Sequence, residues 1–89
     1  MPFEWDEAKR LGNIEKHGID FIRAQRIFDG PVLVRQLPYG REDRWIAIGL
    51  VDGREIAVVY TFRGEAIRII SARRARRNER QAYQASHQG

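Results

Sequence analysis

The sequence predicts an α+β domain: two N-terminal helices, an antiparallel sheet of about four strands and a C-terminal helix. Three observations carry this expectation. Capped, helix-periodic segments lie at the two ends of the chain, over 7–28 and 72–85. Short runs rich in Val, Ile and aromatic residues fill the stretch between them. Those runs are joined by Asp52-Gly53 and Arg63-Gly64-Glu65, tight-turn signals that demand antiparallel neighbours.

Each element has a local reason. Phe3-Glu4-Trp5 alternates apolar and polar residues, enough for a very short strand or anchor. Asp6 is a good N-cap, Glu7 suits the first helical turn, and Gly18 is a left-handed stop just after His17. On this helix Ala8, Leu11, Ile14 and Glu15 are expected to face the core, with Lys9, Asn13 and Lys16 on another face. Asp20 caps a shorter helix, Phe21 to Phe28, which Asp29-Gly30-Pro31 ends. A strand over Val32 to Leu37 and a turn at Pro38-Tyr39-Gly40 follow. The strongest strands, Arg44 to Val51 and Arg54 to Phe62, flank Asp52-Gly53, a register that sets Val51 against Arg54 and Trp45 against Tyr60. If Gly64-Glu65 is the next loop, a further strand, Ala66 to Ser71, brings Arg68 opposite Thr61. A last helix runs from Ala72 to about Ala85. The domain is therefore expected to occupy residues 1–85, with a frayed tail over 86–89.

Composition narrows the functional class. At 89 residues the chain makes one domain with a modest core. The longest apolar run, Trp45 to Val51, is too short to cross a bilayer, and the acidic start lacks the apolar stretch of a signal peptide. With no cysteine there is neither a disulfide nor a thiolate zinc site, and a cytoplasmic protein without membrane contact is expected. No P-loop, dinucleotide fingerprint or His/Cys cluster appears, so neither metal nor cofactor is expected. The net charge of +4 is unevenly placed: residues 1–60 carry nine Lys/Arg against ten Asp/Glu, and residues 61–89 carry seven Arg against two Glu. Arginine forks bind phosphate bidentately and stack on bases, so the C-terminal third reads as a surface for an anionic partner, RNA first. A solvated arginine face is the bland alternative.

Several residues could carry chemistry. On the expected last helix, Arg73/Arg77 and Arg76/Arg80 are like-charged i, i+4 pairs, a local conflict that suggests tuning for a polyanion. Glu79 falls on the stripe of Ala72, Ala75, Ala82 and Tyr83, where pairing with an arginine of the sheet is the structural reading. His17 has the side chain that suits proton transfer near neutral pH, although capping a helix C-terminus is the weightier reading of a lone histidine there. Lys9, Asn13 and Lys16 form a polar cluster beside it. Arg63 and Arg68 flank the last turn; Arg68 either meets a carboxylate such as Glu79 or points into a cleft. Metal-free RNA cleavage needs a base for the 2′-hydroxyl proton and cations around the phosphate, and His17, Arg63, Arg68 and Arg73 are of the right types.

Phe3-Glu4-Trp5-Asp6, Lys9, Asn13, Lys16-His17-Gly18, Phe21, Ala24, Phe28-Asp29, Thr61-Phe62-Arg63 and the segment Ile67 to Ala75, with Glu79 and Tyr83 behind it, resemble the BrnT toxins. The resemblance spans roughly residues 3 to 83. It implies a RelE-like fold and a metal-independent endoribonuclease of a type II toxin–antitoxin pair, stopping growth by 2′-hydroxyl attack within RNA. It also implies a BrnA-like antitoxin with a ribbon-helix-helix domain, through which the complex binds operator DNA. It puts Lys16, His17, Arg63, Arg68 and Arg73 in the active site, with Ser71, Glu79 and Tyr83 in support. Lys9, Asn13, Arg74, Arg76, Arg77 and Arg80 would bind RNA or the antitoxin. The competing reading is a non-catalytic basic module that only docks on nucleic acid or a partner chain.

Overall fold

The computed structural model describes residues 2–38, 40 and 42–87. Its elements run β1 (Phe3–Glu4), α1 (Glu7–His17), α2 (Phe21–Ala24), a 3₁₀ turn (Gln25–Asp29), β2 (Leu33–Leu37), β3 (Arg44–Val51), β4 (Arg54–Arg63), β5 (Ala66–Arg74) and α3 (Arg77–Ser86). The class is α+β as expected, but the sheet has five strands in the order β1-β5-β4-β3-β2 and is mixed. Strands β2 to β5 pair antiparallel in chain order, while β1 lies parallel to β5, with Phe3 against Ile67 and Glu4 against Arg68. Two residues are too few for a period-2 signal, so sequence pattern alone could not assign that pairing. The expected turn at Pro38-Tyr39-Gly40 includes Tyr39, which is outside the described residues.

The caps behave as their chemistry dictates. Asp6 accepts a hydrogen bond from the Lys9 amide, and Gly18, at φ 71°, closes α1 by donating its N–H to the Ile14 carbonyl. Asp20 caps α2 through the Ile22 amide, and the chain then tightens into a 3₁₀ turn instead of continuing as the expected helix to Phe28. At the β3–β4 hairpin both central residues take positive φ, 52° for Asp52 and 77° for Gly53, so the turn twists with its strands. That fixes Val51 against Arg54 and Trp45 against Tyr60, as the turn predicted.

A core fills each face of the sheet. On one face, Phe21, Ala24 and Ile27 are wholly buried against Ala47, Val58, Ile69 and Ala72, with Phe3, Trp5 and Phe28 packed at the margin. Burying one such side chain contributes about 1.5–3 kcal/mol. On the other face, Tyr83 of α3 packs with Ile46, Ile48, Ala57 and Ala75. The helix thus lies over β2 and β3 and reaches Ala57 on β4 and, through Glu79, Arg73 on β5.

Two expectations are corrected. The inward stripe of α1 is Arg10, Asn13, Ile14 and His17, whereas Ala8, Leu11 and Glu15 are exposed. The helix is rotated by about one residue because Asn13 is held inside. Its side-chain N–H₂ donates to the Ile19 and Ala72 carbonyls, each at 2.8 Å, and its oxygen accepts from the Ala72 amide at 3.1 Å. β1 pairs only as far as Arg68, so the amide of Asn13 serves the edge of β5 where no strand continues.

The last helix begins at Arg77, not Ala72. The ladder with β4 holds residues 72–74 in β5, and the Ala75 amide still donates to the Glu55 carbonyl at 3.0 Å. Tertiary pairing outweighs the helix propensity of Ala and Arg. Arg73 and Arg76 are therefore not helical, and the two like-charged i, i+4 pairs do not exist on α3. Glu79 starts the helix by accepting from the Arg76 amide at 2.7 Å.

Candidate active-site face and basic groove

Cross-strand partners share a sheet face, so the register sorts the site residues. Glu4, Arg68 and Thr61 form a row across β1, β5 and β4. Arg63 lies two residues beyond Thr61 on the same face; Arg73 and Ser71 lie further back along β5, opposite Ala57 and Val59. Of these, Ala57 and Arg73 lie against α3, through Tyr83 and Glu79. The pairing of Val59 with Ser71 and Tyr60 with Ile69 makes Ile70 the extra residue of a bulge.

The three arginines of this face are committed to different extents. Arg73 forms a two-point fork with Glu79, at 2.7 and 2.8 Å, both side chains being largely covered. Hydrogen bonding to Arg73, helped by the Arg76 amide, lowers the Glu79 pKa below the usual carboxylate value, and the same contact raises that of Arg73. This pair locks α3 onto β5. Arg68 meets Glu4 through one nitrogen only, at 2.7 Å, which leaves the rest of its donor fork for another anion. Arg63 is exposed at the strand end, with no ion-pair partner among the described residues. Thr61 is buried, its hydroxyl donating to the Asp43 carbonyl at 2.6 Å.

His17 and Lys16 do not join them. His17 lines an open groove of about 980 Å³ with Arg23, Arg26, Asp52, Arg54 and Arg74. Arg74 pairs with Ile56, whose side chain belongs to the core under α1 and α2, so the groove opens on the opposite face. Ile56 and Thr61 are five residues apart on β4, about 17 Å of strand. The expected single cleft is thus two separate basic surfaces. Lys16 is exposed at the end of α1, as is Lys9 near its start.

The remaining expected residues have assigned places. Asn13 is buried in its clamp. Arg76 and Arg77 are exposed, and Arg80 donates to the Ala75 carbonyl at 2.7 Å. Tyr83 is buried, its hydroxyl donating to the Pro31 carbonyl at 3.1 Å, and its ring stacks on His87 at 4.5 Å. Both anchor the C-terminal end. Sequence reasoning missed Glu4 and Arg54: the first became visible only through the parallel β1–β5 register, and the second only through the groove. Among the described residues no three His, Cys, Asp or Glu side chains gather as a metal-ligand set, and no helix is long and apolar enough to cross a membrane.

No curated protein matches the chain. The family described as "Ribonuclease toxin, BrnT, of type II toxin-antitoxin system" matches residues 5–79, most of the chain, including α1, every strand from β2 to β5, Arg73 and Glu79. The chain belongs to the BrnT family of type II toxins.

Proposed function

We propose that this protein is a cytoplasmic endoribonuclease toxin that cleaves RNA without a metal ion, and that Glu4, Arg68 and Arg63 form its catalytic face. The observation that carries the proposal is the half-used fork of Arg68: one nitrogen holds the Glu4 carboxylate at 2.7 Å, and the others have no hydrogen-bond partner among the described residues. A carboxylate and a guanidinium fixed side by side on two strands supply a proton acceptor and a phosphate clamp in one rigid unit.

The chemistry follows from those groups. A phosphodiester lying across Arg68 and Arg63 brings the adjacent ribose 2′-hydroxyl to Glu4. Glu4 takes the hydroxyl proton as the 2′ oxygen bonds to phosphorus, and the two guanidiniums stabilise the negative charge that gathers on the phosphoryl oxygens. The bond from phosphorus to the 5′ oxygen breaks, and that oxygen takes a proton from solvent. A 2′,3′-cyclic phosphate and a 5′-hydroxyl remain, and Glu4 returns its proton to water. Arg73 acts one step removed, holding α3 through Glu79, with Ser71 between it and Arg68 on β5. His17 and Lys16, the acid–base groups expected from sequence, lie outside this face.

The neutralising partner is proposed to be a BrnA-like antitoxin with a ribbon-helix-helix domain that carries the complex to operator DNA. The catalytic proposal is tested with purified protein, RNA and EDTA, using both free RNA and a translating extract. The expected result is cleavage to 2′,3′-cyclic phosphate ends, falling about 10²–10³-fold in a folded Arg68→Ala variant. Cleavage that leaves 5′-phosphates, or salt-sensitive binding of RNA with no turnover by the wild type, would overturn it.

A further inference from the structure

We infer that the groove beside His17 is the docking site for an acidic, amphipathic segment of the antitoxin, on the face opposite the proposed catalytic residues. The inference rests on the type II family assignment for the existence of an antitoxin; the groove's own chemistry says what that segment should look like.

The rim is cationic. Arg23, Arg26, Arg54 and Arg74 line it with His17, against Asp20 and Asp52. Asp20 is already engaged by Arg10 at 3.0 Å. Arg54 and Arg74 have no ion-pair partner among the described residues. Arg23 and Arg26, one turn apart, share a single carboxylate, that of Asp52, at 3.2 and 3.7 Å. Asp52 therefore shows what the Arg23–Arg26 fork accepts: a side-chain carboxylate. All three side chains are about half exposed or more, so this pairing contributes little and a better-placed carboxylate can displace it.

The lining between the arginines is aliphatic. Ile19 and Ile22 form it over the buried Val51 and Ile56, and Ile22 is 53 % exposed although α2 belongs to the core layer. No Phe, Tyr or Trp lines the groove, and His17 supplies its aromatic ring. Single-stranded RNA stacks its bases on aromatic rings and guanidinium planes, and has no use for an exposed aliphatic side chain such as Ile22. An aliphatic strip bordered by arginines instead matches a peptide with Leu or Ile along one stripe and Asp or Glu beside it. Cations alone would suit either anion; the exposed Ile22 and the Asp52 carboxylate seated on Arg23 and Arg26 favour the protein partner over the substrate.

The test uses the antitoxin polypeptide encoded alongside the toxin, titrated against the folded toxin by fluorescence anisotropy. Ile22→Ser and the double variant Arg54→Glu/Arg74→Glu should each weaken the complex at least ten-fold, whereas Arg35→Glu on β2 should not. Asp52→Asn should tighten it by a few-fold beyond the effect of Asp29→Asn, which changes net charge equally. The groove variants should retain RNA cleavage. Unchanged antitoxin affinity in the groove variants would overturn the inference. So would loss of RNA cleavage with antitoxin affinity intact, since the groove would then serve the substrate. Failure of the catalytic proposal is read separately, from undiminished cleavage by Arg68→Ala and Glu4→Gln.

Discussion

Replacing Asn13 by alanine removes the side chain that joins α1 to β5. Three hydrogen bonds go with it: two donated to the Ile19 and Ala72 carbonyls and one accepted from the Ala72 amide. Each is worth about 0.5–1.5 kcal/mol net, and buried groups left without a partner cost about 1–3 kcal/mol each. With Asn13 only 7 % exposed, water reaches the vacated groups poorly, and the expected loss is about 3–4 kcal/mol. That is a large share of the roughly 5–15 kcal/mol typical of a domain, equivalent to a fall in Tm of at least about 12 °C. Urea unfolding followed by circular dichroism measures it, with Lys9→Ala and Lys16→Ala as exposed controls on the same helix that should change stability by less than about 0.5 kcal/mol. Asn13→Asp adds a second signature. Its carboxylate oxygen faces two carbonyls, so burial raises its folded pKa, and the variant should regain stability as pH falls toward about 4. An Asn13→Ala protein as stable as wild type would refute the clamp and return Asn13 to the surface role that its helical spacing suggested.

Glu79 should contribute to stability in a pH-dependent way. Because the Arg73 fork and the Arg76 amide lower its folded pKa, that contribution is present above the ordinary glutamate range near pH 4.3 and is lost as pH falls through the folded value. Glu79→Gln should therefore cost about 1–3 kcal/mol at pH 7 and converge with wild type in unfolding curves as pH falls through the lowered folded value; a pH-independent difference would rule out the charge. At Gly49 an added Cβ would come within 2.9 Å of Ile27 Cγ1 and 3.2 Å of the Pro31 carbonyl oxygen. Gly49→Ala should thus lower stability by about 1–3 kcal/mol in thermal melts, and a neutral result would show that the 3₁₀ turn yields easily. Tyr83→Phe should lose about 1 kcal/mol with its bond to Pro31, measured in the same melts.

What was legible in the sequence follows from how locally each feature is encoded. Asp6, Gly18, Asp20 and Asp52-Gly53 act through hydrogen bonds and φ angles a few residues away, so their caps and the hairpin register could be read directly. The pairing of Arg68 with Thr61 followed from a two-residue loop in the same way. Glu79 was readable as the partner of a sheet arginine because a carboxylate on an alanine-rich stripe requires one. Long-range pairing was not readable. Only the parallel contact of β1 with β5 shows that Arg68 belongs with Glu4 rather than Glu79. A buried asparagine serving a strand edge looks, by spacing alone, like one more polar residue on the lysine face of α1. The Ala-Arg segment after Ser71 reads as helix until the β4 ladder claims it. The arginine-rich end consequently divides: Arg68 and Arg73 look out from one face of the sheet, and Arg74 borders the groove on the other.

The contest between those two surfaces gives the most direct test of the catalytic proposal. Single-turnover RNA cleavage is compared for folded Glu4→Gln and His17→Ala variants, in EDTA and at neutral pH. The account predicts a loss of about 10²-fold or more for Glu4→Gln and a rate close to wild type for His17→Ala. Undiminished cleavage by Glu4→Gln together with its collapse in His17→Ala would contradict it and move the active site to the groove.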